Sequence, residues 1–466
     1  MKKNKIILLI FLICGALFLT SNFIVETDYL WHIKAGEYMF KHGPLTHDVF
    51  SWFTAGKYWM SHEWLFEVFL YIMKLLFGKY HTLIYCFLCV SALFGIMYIP
   101  NRESFSKNIF FSLVFMVFTI CMMIGFIQAR PHMIGFVFLA ITIYFLYDLY
   151  KNEKSKKIYF LPLVTILWSN MHGGSSNLSY LMCLMFLGCG LFKFKLGKIE
   201  ADRFSKKQLL TYLIVSVLCM ISVCINIHGF KMFIYPYENM ADTTMLKNIL
   251  EWQPTSFSSL NHYAYYLYLL LMLIPLIFSK KKIKLLDLLL LGFATFLGLK
   301  SIRFWVYSPV IMSFVIFGYV NEAKTSSFVL SVLIGLIIGL IVISVIKFAN
   351  MNIKYEISLN KKIVNTIKKE NPKRLYNMYN YGGELIYNDI KVFVDGRADL
   401  YSKHNLKDYL NLTNWPTDNE ELIEKYNFDY MLVDKEYQIY TYIKDNDNYE
   451  VIYENKELVL YKKIVN

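Results

Sequence analysis

No cysteine lies in any polar segment of this 466-residue chain. All eight (Cys14, Cys86, Cys89, Cys121, Cys183, Cys189, Cys219 and Cys224) fall inside apolar runs. That excludes a disulfide framework and a zinc–thiolate site and leaves them as small packing residues. Charge is scarce as well: 18% of residues are charged and 56% hydrophobic, against about 25% and roughly 45–50% in an ordinary soluble domain. Neither G-x-G-x-x-G nor G-x-x-x-x-G-K-[ST] occurs, which removes the dinucleotide-binding and P-loop classes. Beyond Ala349 there is no long apolar run.

Before Ala349 such runs recur, many of roughly 17 to 23 residues and long enough to cross about 30 Å of hydrocarbon as a helix. The first, Ile6 to about Val25, follows Met1-Lys2-Lys3-Asn4-Lys5. It is longer than a signal peptide's apolar core and lacks an A-x-A-like cleavage site, so it is expected to stay as an anchor with its basic head in the cytoplasm. Further apolar stretches lie near Trp64–Phe77, Leu83–Ile99, Ile109–Ile127, Met133–Tyr150, Ile158–Trp168 and Leu178–Phe192. Others lie near Leu209–Ile225, Tyr263–Phe278, Leu285–Leu299, Phe304–Val320 and Phe328–Phe348.

The net charge of +13 sits mostly in short clusters between these runs. Such clusters set orientation and do not build a groove, so no nucleic-acid partner is expected. Lys151–Lys157, Lys193–Lys207 and Lys280–Lys284 should face the cytoplasm. The alternate loops, with Arg130-Pro131-His132, Asn170-Met171-His172-Gly173-Gly174, Asn226 to Asn261 and Lys300-Ser301-Ile302-Arg303, should then lie outside. This alternation closes only if one stretch does not cross. Trp64–Phe77 is short, carries Glu67 and Lys74, and follows a polar loop, so it is expected to lie in the interface as an amphipathic helix.

The expected architecture is an α-helical polytopic protein of the cell membrane. It has about eleven crossings over residues 1–349, juxtamembrane helices in a first outer loop at 26–79, and a small extracytoplasmic α/β domain at 350–466. In that domain the pattern predicts strands at Arg374–Met378, Lys391–Val394 and Tyr430–Val433, and a hairpin of Tyr449–Tyr453 with Glu457–Tyr461. Helices are predicted near Lys361–Lys369 and Glu420–Tyr426.

The first outer loop is dense in carboxylates, imidazoles and indoles. Asp28, just past the first span, shares a helical face with His32 (i, i+4), and Glu26, Asp48, His62 and Glu63 come from the same loop. A carboxylate so placed can act as general base or hold a divalent cation that neutralises a phosphate leaving group. The plainer reading makes Trp31, Trp52, Trp59 and Trp64 an interfacial aromatic belt with solvated acids. Asn170 with His172 and Asn226 with His228 both end a span as N-x-H-G, either as helix terminators or as a shared polar pocket. Arg130 with His132, and Lys300 with Arg303, put basic groups on the outer face, by snorkelling or to meet a lipid phosphate. Glu251-Trp252 offers an acid beside a ring that could stack on a sugar or anchor its loop. Asp395-Gly396-Arg397 follows a predicted strand, where an Asp–Arg pair either closes the loop or touches the acceptor.

Taken in order, the motifs are D-x-x-W-H with G-E-Y-M, D-V-F-S-W, H-E-W-L, R-P-H, N-M-H-G-G, E-W-Q-P, N-Y-G-G-E-L-I and F-V-D-G-R-A-D-L-Y. This series resembles a group of bacterial membrane proteins regarded as GT-C-type glycosyltransferases, relatives of the polyprenol-phosphate-sugar-dependent mannosyl and aminoarabinose transferases. The resemblance implies a multispan core, a first outer loop with an essential acidic residue, and a lipid-phosphate sugar donor bound from outside. Asp28 matches that acid by position. Glu26-Thr27-Asp28 stands where an Asp-Glu pair is the pattern, so either Asp28 or Glu26 is the base, and Asp28 is the candidate ligand of a divalent cation, Mg²⁺ or Mn²⁺. Arg303 matches a donor-phosphate contact by location.

The expected function is transfer of a sugar from a polyprenyl-phosphate donor to an extracytoplasmic acceptor. The candidate binding residues are His32, His62, Glu63, Arg130, His132, Asn170, His172, Glu251, Trp252, Lys300, Arg303, Asp395 and Arg397. The rival classes are a transporter or flippase for lipid-linked saccharides and a non-catalytic envelope-assembly protein.

Overall fold

The computed structural model describes residues 2–21, 28–248, 250–257, 260–320 and 359–464, with isolated positions at 335, 339, 342 and 346. Glu26 and, apart from those positions, the apolar run 328–348 lie outside the described residues. Contacts divide the chain into a helical unit, Met1–Phe23, Lys79–Tyr237 and Ile249–Ile353, and a mixed unit, Ile24–Gly78, Glu238–Asn248 and Lys354–Asn466. This division does not follow a single cut near residue 350: the first loop folds with the C-terminal segment.

The helical unit begins with α1 (Lys2–Ser21) and continues through helices such as His81–Tyr98, Ile109–Met123, His132–Lys151, Leu161–Met171, Lys206–Val223 and Leu285–Lys300. Hydroxyls inside these apolar helices bond back to the preceding turn, as Thr119 does to the Phe115 carbonyl at 2.9 Å and Thr142 to Phe138 at 2.8 Å. Such back-bonding satisfies a polar group where no water is at hand. Among the described residues, four helical stretches can cross a membrane by length and apolar composition: Trp64–Lys107, Ile109–Phe126, His132–Lys151 and Lys206–Val223. Shorter apolar helices cover Asn4–Thr20, His262–Phe278 and Ile302–Gly318. The molecule is a helical membrane protein. None of its cysteines is paired.

The basic loops meet one another. β1 (Phe194–Leu196) pairs antiparallel with β2 (Ile199–Ala201), and β2 pairs parallel with β3 (Ile283–Lys284). Lys284 bonds Glu200 at 2.7 Å, and Ser205 bonds Glu153 of the Lys151–Lys157 loop at 2.8 Å. Loops that share partners in this way occupy one end of the helices.

In the mixed unit α2 (Asp28–His42) packs on α3 (Trp64–Phe77). Their closeness depends on Gly36: a Cβ there would lie 2.0 Å from the Glu67 carbonyl oxygen, a backbone atom that cannot swing away. Elsewhere in a helix Ala is favoured over Gly by about 1 kcal/mol. Here Gly36→Ala is expected to lower the thermal midpoint, because the overlap costs about 1–3 kcal/mol or more. An unchanged or raised midpoint would reject the close crossing. α3 and the helix His81–Tyr98 form one apolar stretch by composition, yet they separate at Gly78, where one unit ends and the other resumes.

The C-terminal sheet has the order β4-β5-β7-β6, built from β4 (Leu375–Asn377), β5 (Tyr430–Asp434), β6 (Tyr449–Glu454) and β7 (Leu458–Lys463). β4 and β5 are parallel, with helices between them, and β6 and β7 form the antiparallel hairpin that alternation predicts. The helices Lys361–Glu370 and Glu420–Tyr426 lie where periodicity puts them. The predicted strand Lys391–Val394 is no strand. Only Val392 makes a bridge, to Ser51, because the Asn377 side chain bonds Phe393 N and the Val394 carbonyl, each at 2.8 Å, and occupies the groups a ladder would use.

The 28–59 segment belongs to the core of this unit. Trp31 and Trp59 are buried with Tyr376, Phe393 and Leu432, while Trp52 stacks on Phe393 at 5.5 Å and bonds the Leu375 carbonyl at 2.9 Å. The belt reading of Trp31, Trp52 and Trp59 therefore fails, since these rings are held by protein.

Candidate functional site

Within the mixed unit, α2 carries Asp28 on its first turn and His32 one turn later. The turn Ser61–Glu63 and α3 supply His62, Glu63 and Glu67. His32, Glu63 and Glu67 are only 3%, 7% and 0% exposed. His32 Nδ1 lies 3.2 Å from Glu67 Oε1, and His32 Nε2 lies 3.9 Å from Glu63 Oε2. The second oxygen of each carboxylate is taken from behind: Ser61 Oγ donates to Glu67 Oε2 at 3.2 Å, and His62 Nε2 lies 3.0 Å from Glu63 Oε1. His62 Nδ1 in turn lies 3.8 Å from Asp399 Oδ2. Acids and imidazoles thus alternate from Glu67 to Asp399. Burial alone would lower the His62 imidazole, but the Glu63 carboxylate and Asp399 outweigh it and push it up to about 9. His62 therefore carries a proton at neutral pH and donates to Glu63.

Asp28 is half-buried and faces the 395–399 loop. A Cβ on Gly396 would lie 2.1 Å from Asp28 Oδ1 and 2.7 Å from Trp31 Nε1, so any side chain there would make the acid or the indole shift. Asp395 and Arg397, named above as binding residues, are placed otherwise. Both side chains are wholly buried: Arg397 bonds Asp395 Oδ2 at 2.6 Å and Asp48 Oδ1 at 2.5 Å, and its guanidinium lies 4.7 Å from the Trp59 ring centre. The motif is the ion pair that closes its loop, and its side chains offer no surface to a ligand. Burial would raise the Asp48 carboxyl, but Arg397 beside it holds it below the usual range.

The helical unit carries a second cluster. The Leu250–Trp252 turn is fastened to the end of the Leu285–Lys300 helix: Ser301 Oγ donates to the Glu251 carbonyl at 2.7 Å, and Ile302 N donates to Gln253 at 3.1 Å. Arg303 then bonds Glu251 Oε1 at 3.0 Å and lies 4.9 Å from the Trp252 ring centre, with Arg130 Nη1 3.9 Å from the same carboxylate oxygen. Two guanidinium groups meet at one partly exposed carboxylate, and guanidinium is the side chain suited to phosphate-like anions. Lys300 is exposed at the helix end. His132 is spent on the Phe126 carbonyl at 2.8 Å.

The two N-x-H-G motifs do meet. Asn170 Nδ2 donates to the Ile225 carbonyl at 2.9 Å, and Asn226 Nδ2 donates to the Ser169 carbonyl at 2.8 Å and to Asn170 Oδ1 at 3.1 Å. Each amide caps the other helix, satisfying terminal carbonyls that lack intrahelical partners. His172 Nδ1 pairs with Ser175 Oγ at 2.8 Å. Asn170→Ala and Asn226→Ala should each lower the thermal midpoint, while the double variant loses less than the sum by about 0.5–3 kcal/mol, as for residues in one network. Strict additivity would reject the mutual cap.

The residue that sequence reasoning missed is Glu67, taken only as a sign that α3 does not cross. The available signal was its i, i+4 spacing from Glu63, which puts both carboxylates on one helical face. Among the described residues, His32, Glu63 and Glu67 form the one group of ligand-type side chains whose donor atoms all lie within 4.8 Å of one another. Asp28 is not in that group.

No model of a known protein family matches the chain, and no curated protein does. Among solved structures, the apo oligosaccharyltransferase of Archaeoglobus fulgidus superposes with a TM-score of 0.53 at 12% identity, covering 92% of this chain and 69% of that one. The oligosaccharyltransferase AglB of the same organism, in complex with an inhibitory peptide and a dolichol-phosphate, gives 0.52 at 11% identity with the same coverage. The chain therefore shares the fold of the Archaeoglobus fulgidus oligosaccharyltransferase, a likeness of architecture alone at this identity.

Proposed function

We propose that this protein is a multi-pass membrane glycosyltransferase that moves a sugar from a polyprenyl-phosphate donor to an acceptor outside the membrane. The observation that carries this reading is the extent of the fold likeness: at 92% of the chain it runs past the helices into the mixed unit. One structural neighbour holds a dolichol-phosphate and a peptide, which supports a lipid-phosphate donor and a separate acceptor.

In the proposed topology the N-terminus is cytoplasmic, about eleven segments cross, as expected for runs of this length, and the C-terminal domain is extracytoplasmic. Asp28 takes the proton of the acceptor hydroxyl as it attacks the anomeric carbon, inverting it, and the lipid phosphate leaves. Arg303, with Arg130 and Lys300, meets the phosphate's growing charge, and Trp252 stacks on the sugar. The donor set at His32, Glu63 and Glu67, one imidazole and two carboxylates, fits a divalent cation better than the surroundings of Asp28, where an indole N–H and a glycine face the acid.

Deleting the gene and weighing the envelope glycans and lipid-linked sugars tests the reading. Loss of one sugar with build-up of its lipid carrier is expected. Unchanged glycans would overturn transfer and leave the assembly-protein reading, whereas a lipid-linked sugar trapped on the inner leaflet would point to a flippase.

A further inference from the structure

We propose that His32, Glu63 and Glu67 bind one first-row transition-metal dication, of the zinc or manganese class, in the seam between α2 and α3. This inference concerns a different set of side chains from Asp28 and holds whether or not the protein transfers sugars.

Three features of the mixed unit support it. The three donors come from both sides of the seam, and one ligand atom from each lies within 4.8 Å of the others. Zn–N and Zn–O bonds of about 2.0–2.2 Å put tetrahedral ligand atoms roughly 3.3–3.6 Å apart, so small side-chain rotations close the set. All three groups are more than nine-tenths buried.

The carboxylates are also prepared as ligands. Ser61 holds one oxygen of Glu67 and His62 one oxygen of Glu63, which leaves Glu67 Oε1 and Glu63 Oε2 turned toward His32. Outer partners of this kind fix the orientation of ligating groups.

The seam is also built for closeness: Gly36 admits the Glu67 backbone where any side chain would hold the helices apart. One imidazole with two carboxylates selects a borderline ion over Mg²⁺ and Ca²⁺, which favour shells of oxygen alone. Three protein ligands leave a fourth position for water.

The test uses the full chain, purified in detergent, stripped with chelator and dialysed against micromolar Zn²⁺ or Mn²⁺ with millimolar Mg²⁺ present. Metal content per chain and the thermal midpoint are then measured. About one equivalent of Zn²⁺ or Mn²⁺ and a raised midpoint are expected, and Mg²⁺ should not displace it. Glu67→Gln should bind at least tenfold more weakly, while Glu37→Gln, an acid of α2 paired with Lys41 away from the site, should bind as wild type does. Should Glu67→Gln fail to fold, Ser61→Ala keeps all three ligands and should weaken binding about 10–100-fold, as loss of an outer partner does. No bound transition metal in the wild type, or equal binding in wild type, Glu67→Gln and Ser61→Ala, would overturn the site. Because metal content is read without any transfer assay, its failure is separate from failure of the proposed reaction.

Discussion

Asp28→Asn is expected to abolish sugar transfer while the protein still reaches the membrane at wild-type level. Asn keeps the size of the side chain, so the fit against Gly396 survives, but it cannot accept a proton. Removal of a positioned base costs about 10²–10⁴-fold in rate. The effect should therefore fall on turnover, with the thermal midpoint within a degree or two of wild type. Gly396→Ala should give the same loss by another route: the new methyl group would overlap Asp28 Oδ1 and Trp31 Nε1 and push the acid from its place. Complementation of a deletion strain, read by envelope glycan mass, measures both. Full activity of Asp28→Asn would sink the assignment of the base.

The largest stability effect is expected at Arg397. Its guanidinium compensates two buried carboxylates, Asp48 and Asp395, and Tyr401 Oη bonds Asp395 Oδ2 at 2.5 Å. Arg397→Ala leaves both acids inside the mixed unit with no cation, and breaking a buried pair from one side costs about 3–5 kcal/mol. The thermal midpoint of the full chain should fall by many degrees, and protease should cut within 359–464 first. A midpoint within experimental scatter of wild type would show that water reaches these groups.

The pH dependence has a definite sign. Arg397 holds the Asp48 carboxyl below its unfolded value of about 3.9, so this stabilisation is complete above about pH 4 and is lost as pH falls through the lower folded value. The wild type should lose stability below about pH 4. In Arg397→Ala that acid dependence of Asp48 should weaken or reverse.

Several elements could be read directly from the chain. Alternation over Tyr449–Tyr453 and Glu457–Tyr461 marks the hairpin because each side chain's face is set by a period of two. The basic loops could be grouped because charge sorting acts on each loop separately. Lys391–Val394 misled because a β-branched run was read without its partner, and Asn377 takes the groups a neighbouring strand would use. Trp31, Trp52 and Trp59 could not be told from an interfacial belt in the same way: Trp at a membrane surface and Trp in a core have the same local sequence.

By itself the sequence determined the helical membrane class of the molecule, most of the described C-terminal strands, and the presence of an acid-rich first loop. Hydrophobic period and charge are local properties, summed over a few turns. Only the tertiary structure decided that Glu67 joins His32 and Glu63, and that Trp31 and Trp59 share a core with residues of 359–461. It also decided that Arg397 is spent on Asp48, 349 residues away in the chain. Such pairings arise when distant segments exclude water together, and no window along the chain contains both partners.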